Sequence, residues 1–321
     1  MKPLFLRLLV AAAIGLPALA AHAWPDKPVH IVVPGPPGGI LDALARLLSE
    51  SMGKDLGQPV IVENKPGAGG SIAVQNVLAA PADGHTLLLT GSNVLAETPH
   101  VVRTPFDPMK DVVPLTPLGK IRAVLVSAPN LPATDMASLG RYVQSQPGKL
   151  SYASNSPGTV SHYAGELLNQ RLGTDMQHVP FAGAPPALVA IMGQQVTIYL
   201  DNVVTSAPLL KAGKIKAYGI AGTTRSPLLP DVPTFAEQGY PEFNNFANWL
   251  MVASAAKVPA ATQEQIQAAV RKATASPAFQ ARVLELGFES AGATTPEELK
   301  KALLSDYNWA GGMAKQLKLM P

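Results

Sequence analysis

The chain has no cysteine. That excludes a disulfide framework, a thiolate metal site, a cysteine nucleophile and a lipid-modified N-terminal cysteine. Basic runs of five or more residues are also missing, and Lys plus Arg (25) barely exceed Asp plus Glu (22). There is no electrostatic footprint for nucleic acid, and no such partner is expected. Beyond the N-terminus no segment reaches the roughly 18 uninterrupted apolar residues that mark a membrane span. Internal repeats and low-complexity linkers are absent, and the 31 prolines are scattered over loop positions. What remains is a chain of 321 residues, 47% hydrophobic and 15% charged. It is too apolar for disorder and long enough for two domains or one large one.

Lys2 and Arg7 flank a short charged start, and Leu8 to Ala20 is an apolar run interrupted by Pro17. Ala21-His22-Ala23 then puts small residues at the two positions a signal peptidase reads. This is the pattern of a secretory signal peptide over residues 1–23, and the run is short for a bilayer span. Cleavage leaves Trp24-Pro25 first, and the exported chain is expected to be soluble.

Short β-branched runs alternate with helical patterns after that. Val29 to Val33 and Val60 to Val62 read as strands, as does Thr86 to Leu89. Leu41, Leu44, Leu48 and Met52 recur at helical spacing, and a second helix is expected over Ile72 to Ala80. A second series has strands at Val124 to Val126, Leu150 to Ala153, Val179 to Phe181, Val196 to Leu200 and Ile215 to Ile220. Helices over Ser161 to Arg171, Pro185 to Met192 and Val204 to Ala212 separate them. Three more, Thr262 to Ala275, Ala278 to Glu285 and Pro296 to Met313, close the chain. Such alternation implies α/β architecture with parallel sheets covered on both faces. Two successive series fit two lobes, with ligand sites where strands end in loops.

The loop from Pro34 through Pro37 to Gly38-Gly39 joins a strand to a helix. Its backbone N–H groups and the helix start can seat an anion without any Arg or Lys. Asp42, in the first turn, can satisfy free N–H groups or meet a ligand donor. A plain turn with a helix cap accounts for the same residues. Gly67 to Ser71 is a second such loop, read as a structural turn because it lacks both the dinucleotide and the phosphate-loop spacing. Thr90 to Asn93 offers hydroxyls and an amide at a strand's C-terminal end. Ser154 to His162 is the densest polar cluster, able to cap a helix or to bind a carboxylate. Asp201-Asn202 is a third polar strand end.

No catalytic constellation assembles. There is no nucleophile elbow, and adjacent Ser161 and His162 diverge instead of forming a relay. His30, His85, His100, His162 and His178 are dispersed without metal-ligand spacing, so no metal and no cofactor is expected.

Trp24-Pro25-Asp26-Lys27-Pro28, Ile31 to Pro34, and Pro37-Gly38-Gly39 with Asp42, Ala45 and Arg46 together resemble the Bug family. Its members are the TctC-type extracytoplasmic solute receptors of tripartite tricarboxylate transporters. The likeness continues through Val62 to Gly70, Pro81 to Leu88, Gly158 to Leu167, Val179-Pro180-Phe181, Lys211 to Lys214, Leu229 to Gly239 and Trp249. It covers essentially the whole chain after residue 23. The resemblance implies a type II periplasmic binding protein, two doubly wound α/β lobes joined by two crossovers. The lobes are expected over 24–122 with 225–321, and over 123–224. It further implies a non-enzymatic, monomeric receptor that captures a small di-, tri- or aromatic carboxylate and delivers it to membrane permease subunits. The alternative is the same fold reporting ligand to a signalling partner. Ligand contacts implied at this point are Pro37, Gly38, Gly39, Ile40, Asp42, Ser92, Asn93, Ser154, Ser156, Gly158, Thr159, Ser161, His162 and Asp201. Gly35, Pro157, Ile40 and Leu41 depart from the family's usual residues, and the bulk of Ile40 and Leu41 favours a more apolar or aromatic carboxylate.

Overall fold

The computed structural model describes residues 24–321, and the expected signal peptide, residues 1–23, lies outside them. Strand β1 (Val29–Val33) buries Val29, Ile31, Val32 and Val33 completely, as a strand covered on both faces must. Helix α1 (Ile40–Leu56) turns Leu44, Ala45, Leu48 and Met52 inward along one stripe. It stops at Gly57, whose φ of 64° is the left-handed conformation that ends helices. β2 (Val60–Asn64), α2 (Ser71–Ala79) and β3 (Thr86–Gly91) follow, and β1 pairs in parallel with both strands.

Two short helices, α3 (Ser92–Ala96) and α4 (Pro108–Asp111), lead into β4 (Val112–Ser127). The sequence pattern anticipated only Val124 to Val126 of this 16-residue strand. Pro114 and Pro117 disguise the rest, and the ladder slips beside each of them. Proline donates no backbone hydrogen bond, so a strand accommodates it at such irregularities. The second series is α5 (Met136–Gln144), β5 (Ser151–Ser154), α6 (Val160–Leu172), β6 (Gln177–Pro180), α7 (Ala184–Met192), β7 (Ile198–Asn202), α8 (Val203–Lys211) and β8 (Lys216–Ile220). β9 (Ala247–Ala255), α9 (Ala260–Thr274), α10 (Pro277–Glu285) and α11 (Pro296–Gln316) complete the chain. Neither β9 nor α3, α4 and α5 stood out from the sequence pattern.

The strands line up as β2-β1-β3-β9-β4-β7-β5-β6, with β8 also on β4. Parallel pairing, expected throughout, holds for β1 with β2 and β3 and for β5 with β6 and β7. β4 and β9 depart from it, because their pairings are not made through strand–helix–strand crossovers. β9 runs antiparallel to β3 and β4, and β4 runs antiparallel to β7 and β8. Residues 112–122 of β4 lie against β9, and Ala123 to Ser127 lie against β7 and β8. One strand therefore carries the chain from the first group of elements into the second.

The cores follow the same division. Ile31, Leu44, Leu87, Val252 and Ile266 pack together on one side, and Tyr152, Tyr163, Ile198 and Tyr218 on the other. Phe235, Phe243 and Phe246 are buried in the second of these clusters. The segment after β8 thus packs with the second group as far as Phe246. α11 belongs to both sides: Leu299 and Leu303 sit in a cluster with Val32 and Met251, while Ala310 and Ala314 sit with Tyr163 and Phe246. Among the described residues no helix is long and apolar enough to cross a membrane, and no cluster of three or more His, Asp or Glu could hold a metal ion.

Candidate functional site

A cavity of about 180 Å³ opens between the two groups of strands. Six helices begin on it: α1 at Gly39, α2 at Gly70, α3 at Gly91, α6 at Thr159, α7 at Gly183 and α8 at Asn202. None of these N-cap side chains accepts a hydrogen bond from its own first turn. Elsewhere Asp107, Asp135, Ser276 and Thr295 do cap their helices, α9 at Pro259 being the exception. Free N–H groups and the positive ends of helix dipoles therefore concentrate around the cavity. Among the described residues that line it there is no Lys, Arg, His or Glu, and Asp201 is the sole ionisable side chain. The remaining polar groups are amides and hydroxyls: Asn93, Asn155, Asn202, Asn248, Ser156, Thr159 and Ser161.

Of the residues singled out in the sequence, Gly39, Ile40, Asn93, Ser156, Thr159, Ser161 and Asp201 line this cavity. Pro37, Gly38, Asp42, Ser92, Ser154, Gly158 and His162 do not; the structure gives most of them work behind the wall. Asp42 is 4% exposed, and its Oδ2 accepts from the Gly38 N–H and from Arg46 Nε, each at 3.0 Å. Burial raises its pKa, but those donors outweigh burial and hold the carboxyl below its ordinary value. Gly38 itself takes φ +76°, a conformation that suits glycine, and so tightens the loop. Pro37, beside it, is exposed.

Ser92 is fully buried and hydrogen-bonds Asn248 Oδ1, steadying an amide that does reach the cavity. Ser154 Oγ sits 2.6 Å from His178 Nε2, and the His162 ring stacks on His178 with centroids 4.1 Å apart. His162 Nδ1 accepts the Gly158 N–H at 3.1 Å, so this ring orders the backbone of the loop. Burial, followed by the neighbouring His178, pushes the His162 pKa down to about 4 and keeps the ring neutral.

Loops from the two groups touch directly. The Gly69 N–H donates to Ser156 Oγ at 3.1 Å, and Thr98 Oγ1 lies 3.1 Å from the Gly69 carbonyl and 3.2 Å from that of Gly158. Tyr163 Oη donates to the Glu97 carbonyl at 3.0 Å. Asp201, 1% exposed, accepts from Thr205 Oγ1 and Ser206 Oγ on α8. Burial raises its pKa, opposed by those two hydroxyls.

Sequence reasoning missed Asn155, Phe181, Gly183 and Asn248 as cavity residues. Asn155 stood inside the polar Ser154–His162 cluster, so a signal was available. Asn248 carried none, because it arrives on the unanticipated strand β9.

The sequence model of the tripartite tricarboxylate transporter family receptor matches residues 44–317. Protein BugT of Bordetella pertussis is 32% identical, over 94% of this chain and 93% of that one. MatC from Rhodopseudomonas palustris, solved with bound malate, superposes with a TM-score of 0.85 at 32% identity, covering 90% of this chain and 99% of MatC. A second Rhodopseudomonas palustris protein, solved with adipate, gives a TM-score of 0.86 at 29% identity, covering 93% of this chain and 99% of the other.

Proposed function

The chain belongs to the tripartite tricarboxylate transporter receptor family, a family of binding receptors and not of enzymes, and on that premise we propose that it is a periplasmic receptor for a small carboxylate. One observation carries the reading: six helix N-termini without side-chain caps converge on a cavity with no basic side chain among the described residues that line it. A carboxylate there satisfies N–H groups that would otherwise need water, and each helix end contributes about 0.3–1 kcal/mol of favourable field. Malate and adipate bound to relatives of similar fold support the same class.

In this reading the cleft divides two lobes. The chain crosses at Arg122–Ala123 and returns at Phe246–Ala247, where β4 and β9 pair. Ligand docks on Gly39, Asn93 and the α2 start of one lobe, and Ser156, Thr159 and Ser161 of the other close over it. The contacts Gly69–Ser156 and Thr98–Gly158 then hold the closed form, which hands its ligand to permease subunits in the membrane. Closure needs this difference in contacts between open and closed states.

A thermal-shift screen of the chain from Trp24 against di-, tri- and aromatic carboxylates tests the proposal. Ligand at about 100 times its Kd adds roughly 2.7 kcal/mol, a clear rise in melting temperature. Silence across the whole panel would sink the carboxylate assignment.

A further inference from the structure

The strands that join the two groups, β4 and β9, give Ile121, Ala123, Asn248 and Leu250 to the cavity and form its floor. Side chains alternate along a strand, so Asn248 and Leu250 share the face turned to the cavity. Trp249, between them, points the other way and packs against the cluster that contains Leu303. Across the ladder Ile121 stands opposite Asn248. Asn248 is thus the one polar side chain among the described residues of these strands that line the cavity.

The orientation of its amide is decided from behind. Ser92, fully buried, accepts the Trp249 N–H at Oγ and gives its own proton to Asn248 Oδ1, both at 3.3 Å. A hydroxyl has a single proton, and turning the amide round would leave that buried proton without this acceptor. The oxygen therefore faces Ser92 and Nδ2 faces the other way. Asn248 is 8% exposed, and Nδ2 has no acceptor among the described residues, yet it is not one of the polar atoms closed off from the surface. Its N–H donors open on the cavity that the residue lines.

We propose that Asn248 is a ligand-binding residue, its side-chain N–H₂ donating to a carboxylate oxygen of the bound acid at the floor of the cleft. The proposal deepens the carboxylate reading and rests on it. No basic side chain stands among the described residues lining the cavity, so an anion there depends on neutral donors. Helix N-termini supply backbone donors, and Asn248 adds a side-chain donor whose direction Ser92 fixes before any ligand arrives. A donor already held in place loses little freedom on binding, and its hydrogen bond to a charged oxygen is stronger than one between neutral groups.

Calorimetric titration of the chain from Trp24 with succinate, malate, adipate, citrate and benzoate tests this. For each acid that the parent binds, Asn248→Ala is expected to bind roughly tenfold more weakly or worse. Ser92→Ala breaks the same Ser92–Asn248 bond but keeps the amide donor, and its loss is expected to be several times smaller. Equal losses in the two variants would mean that Asn248 only braces the floor, and the proposal would fall. It falls as well if Asn248→Ala binds like the parent. Melting temperatures without ligand report whether each variant is folded. Should Asn248→Ala not fold, the parent alone decides through nitrogen–proton correlation spectra. The Asn248 side-chain amide signals, assigned through their own backbone, shift on saturation with the acid; signals that stay in place overturn the proposal. If no acid of the panel binds the parent, the carboxylate reading falls and this inference falls with it.

Discussion

Gly165 shows how local preference and packing oppose each other at a single residue. It lies inside α6, where alanine would ordinarily gain about 1 kcal/mol over glycine. A methyl group there would stand 2.1 Å from Cε2 of Tyr152. That ring has little room to move: it is 1% exposed, its hydroxyl is bonded to Glu166, and it stacks on His178 at 5.1 Å. Packing wins, and Gly165→Ala is expected to lower stability by about 1–3 kcal/mol, measured as a lower urea midpoint at constant slope. His162 sets a second expectation at this scale. Its pKa falls from 6.5 to about 4 in the folded chain, with burial the larger cause. As the pH drops below 6.5, the unfolded chain takes up a proton that the folded chain refuses until about 4. The stability contribution is full above that window and is lost on the way down through it. Melting temperature should therefore fall across this range, and fall less steeply in His162→Phe. Parallel slopes for the two proteins would refute the assignment.

Among the elements, the helices fall into two sets according to where they begin. Those that start on the cavity forgo side-chain caps, whereas α4, α5, α10 and α11 each receive one. An Asp, Ser or Thr cap typically contributes about 1 kcal/mol to a helix, so the cavity helices give up local stability in exchange for open N–H groups. α11 has a different task. Its capping box at Thr295 and Glu298 starts it, and its length lets Leu303 and Ala314 reach separate cores. Leu303→Ala should cost about 2–5 kcal/mol through the cavity it leaves. Trp249 lies against the cluster containing Leu303, and Trp309 lies against the other. If α11 couples the two sides, tryptophan fluorescence and far-ultraviolet circular dichroism will still report one coincident transition in this variant. Two separate transitions would show that it does not.

For the molecule as a whole, the contact between its halves runs past a buried Glu97 and a half-buried Asp306. Glu97 is 3% exposed, its Oε2 has no partner, and its own backbone carbonyl receives Tyr163 from the other side. Burial first, then the charge of Asp306 on α11, pushes its pKa well above the ordinary value. Burial likewise raises Asp306 to about 6, against the pull of Lys120. Both folded pKa values are raised, so their stabilising effect is complete at acid pH and declines as the pH rises through them. Glu97→Gln removes that penalty without changing shape. Its melting temperature should exceed that of the parent near pH 8 and match it near pH 4. A variant that is equally altered at both pH values would mean that Glu97 acts through packing alone.

Most of the architecture was legible in the order of residues. Val29–Val33, the Leu44–Leu48–Met52 stripe and the later strand–helix alternation carry their periodicity openly, because burial of one face writes itself directly into residue spacing. The polar strand ends were legible for the same local reason, and Gly39, Asn93, Ser156, Thr159 and Asp201 all reach the cavity. β4 was obscured by Pro114 and Pro117 except at Val124 to Val126, and β9, which follows a long irregular segment, gave no periodic signal. Which polar residues face the cavity and which brace the wall was beyond local pattern. Gly158 and His162 sit among Ser156, Thr159 and Ser161 in sequence, yet they bond to each other behind the wall while the other three residues line the cavity. Only the folded chain decided that, because it depends on contacts with His178, Thr98 and Asn248, residues far away in sequence that packing brings close.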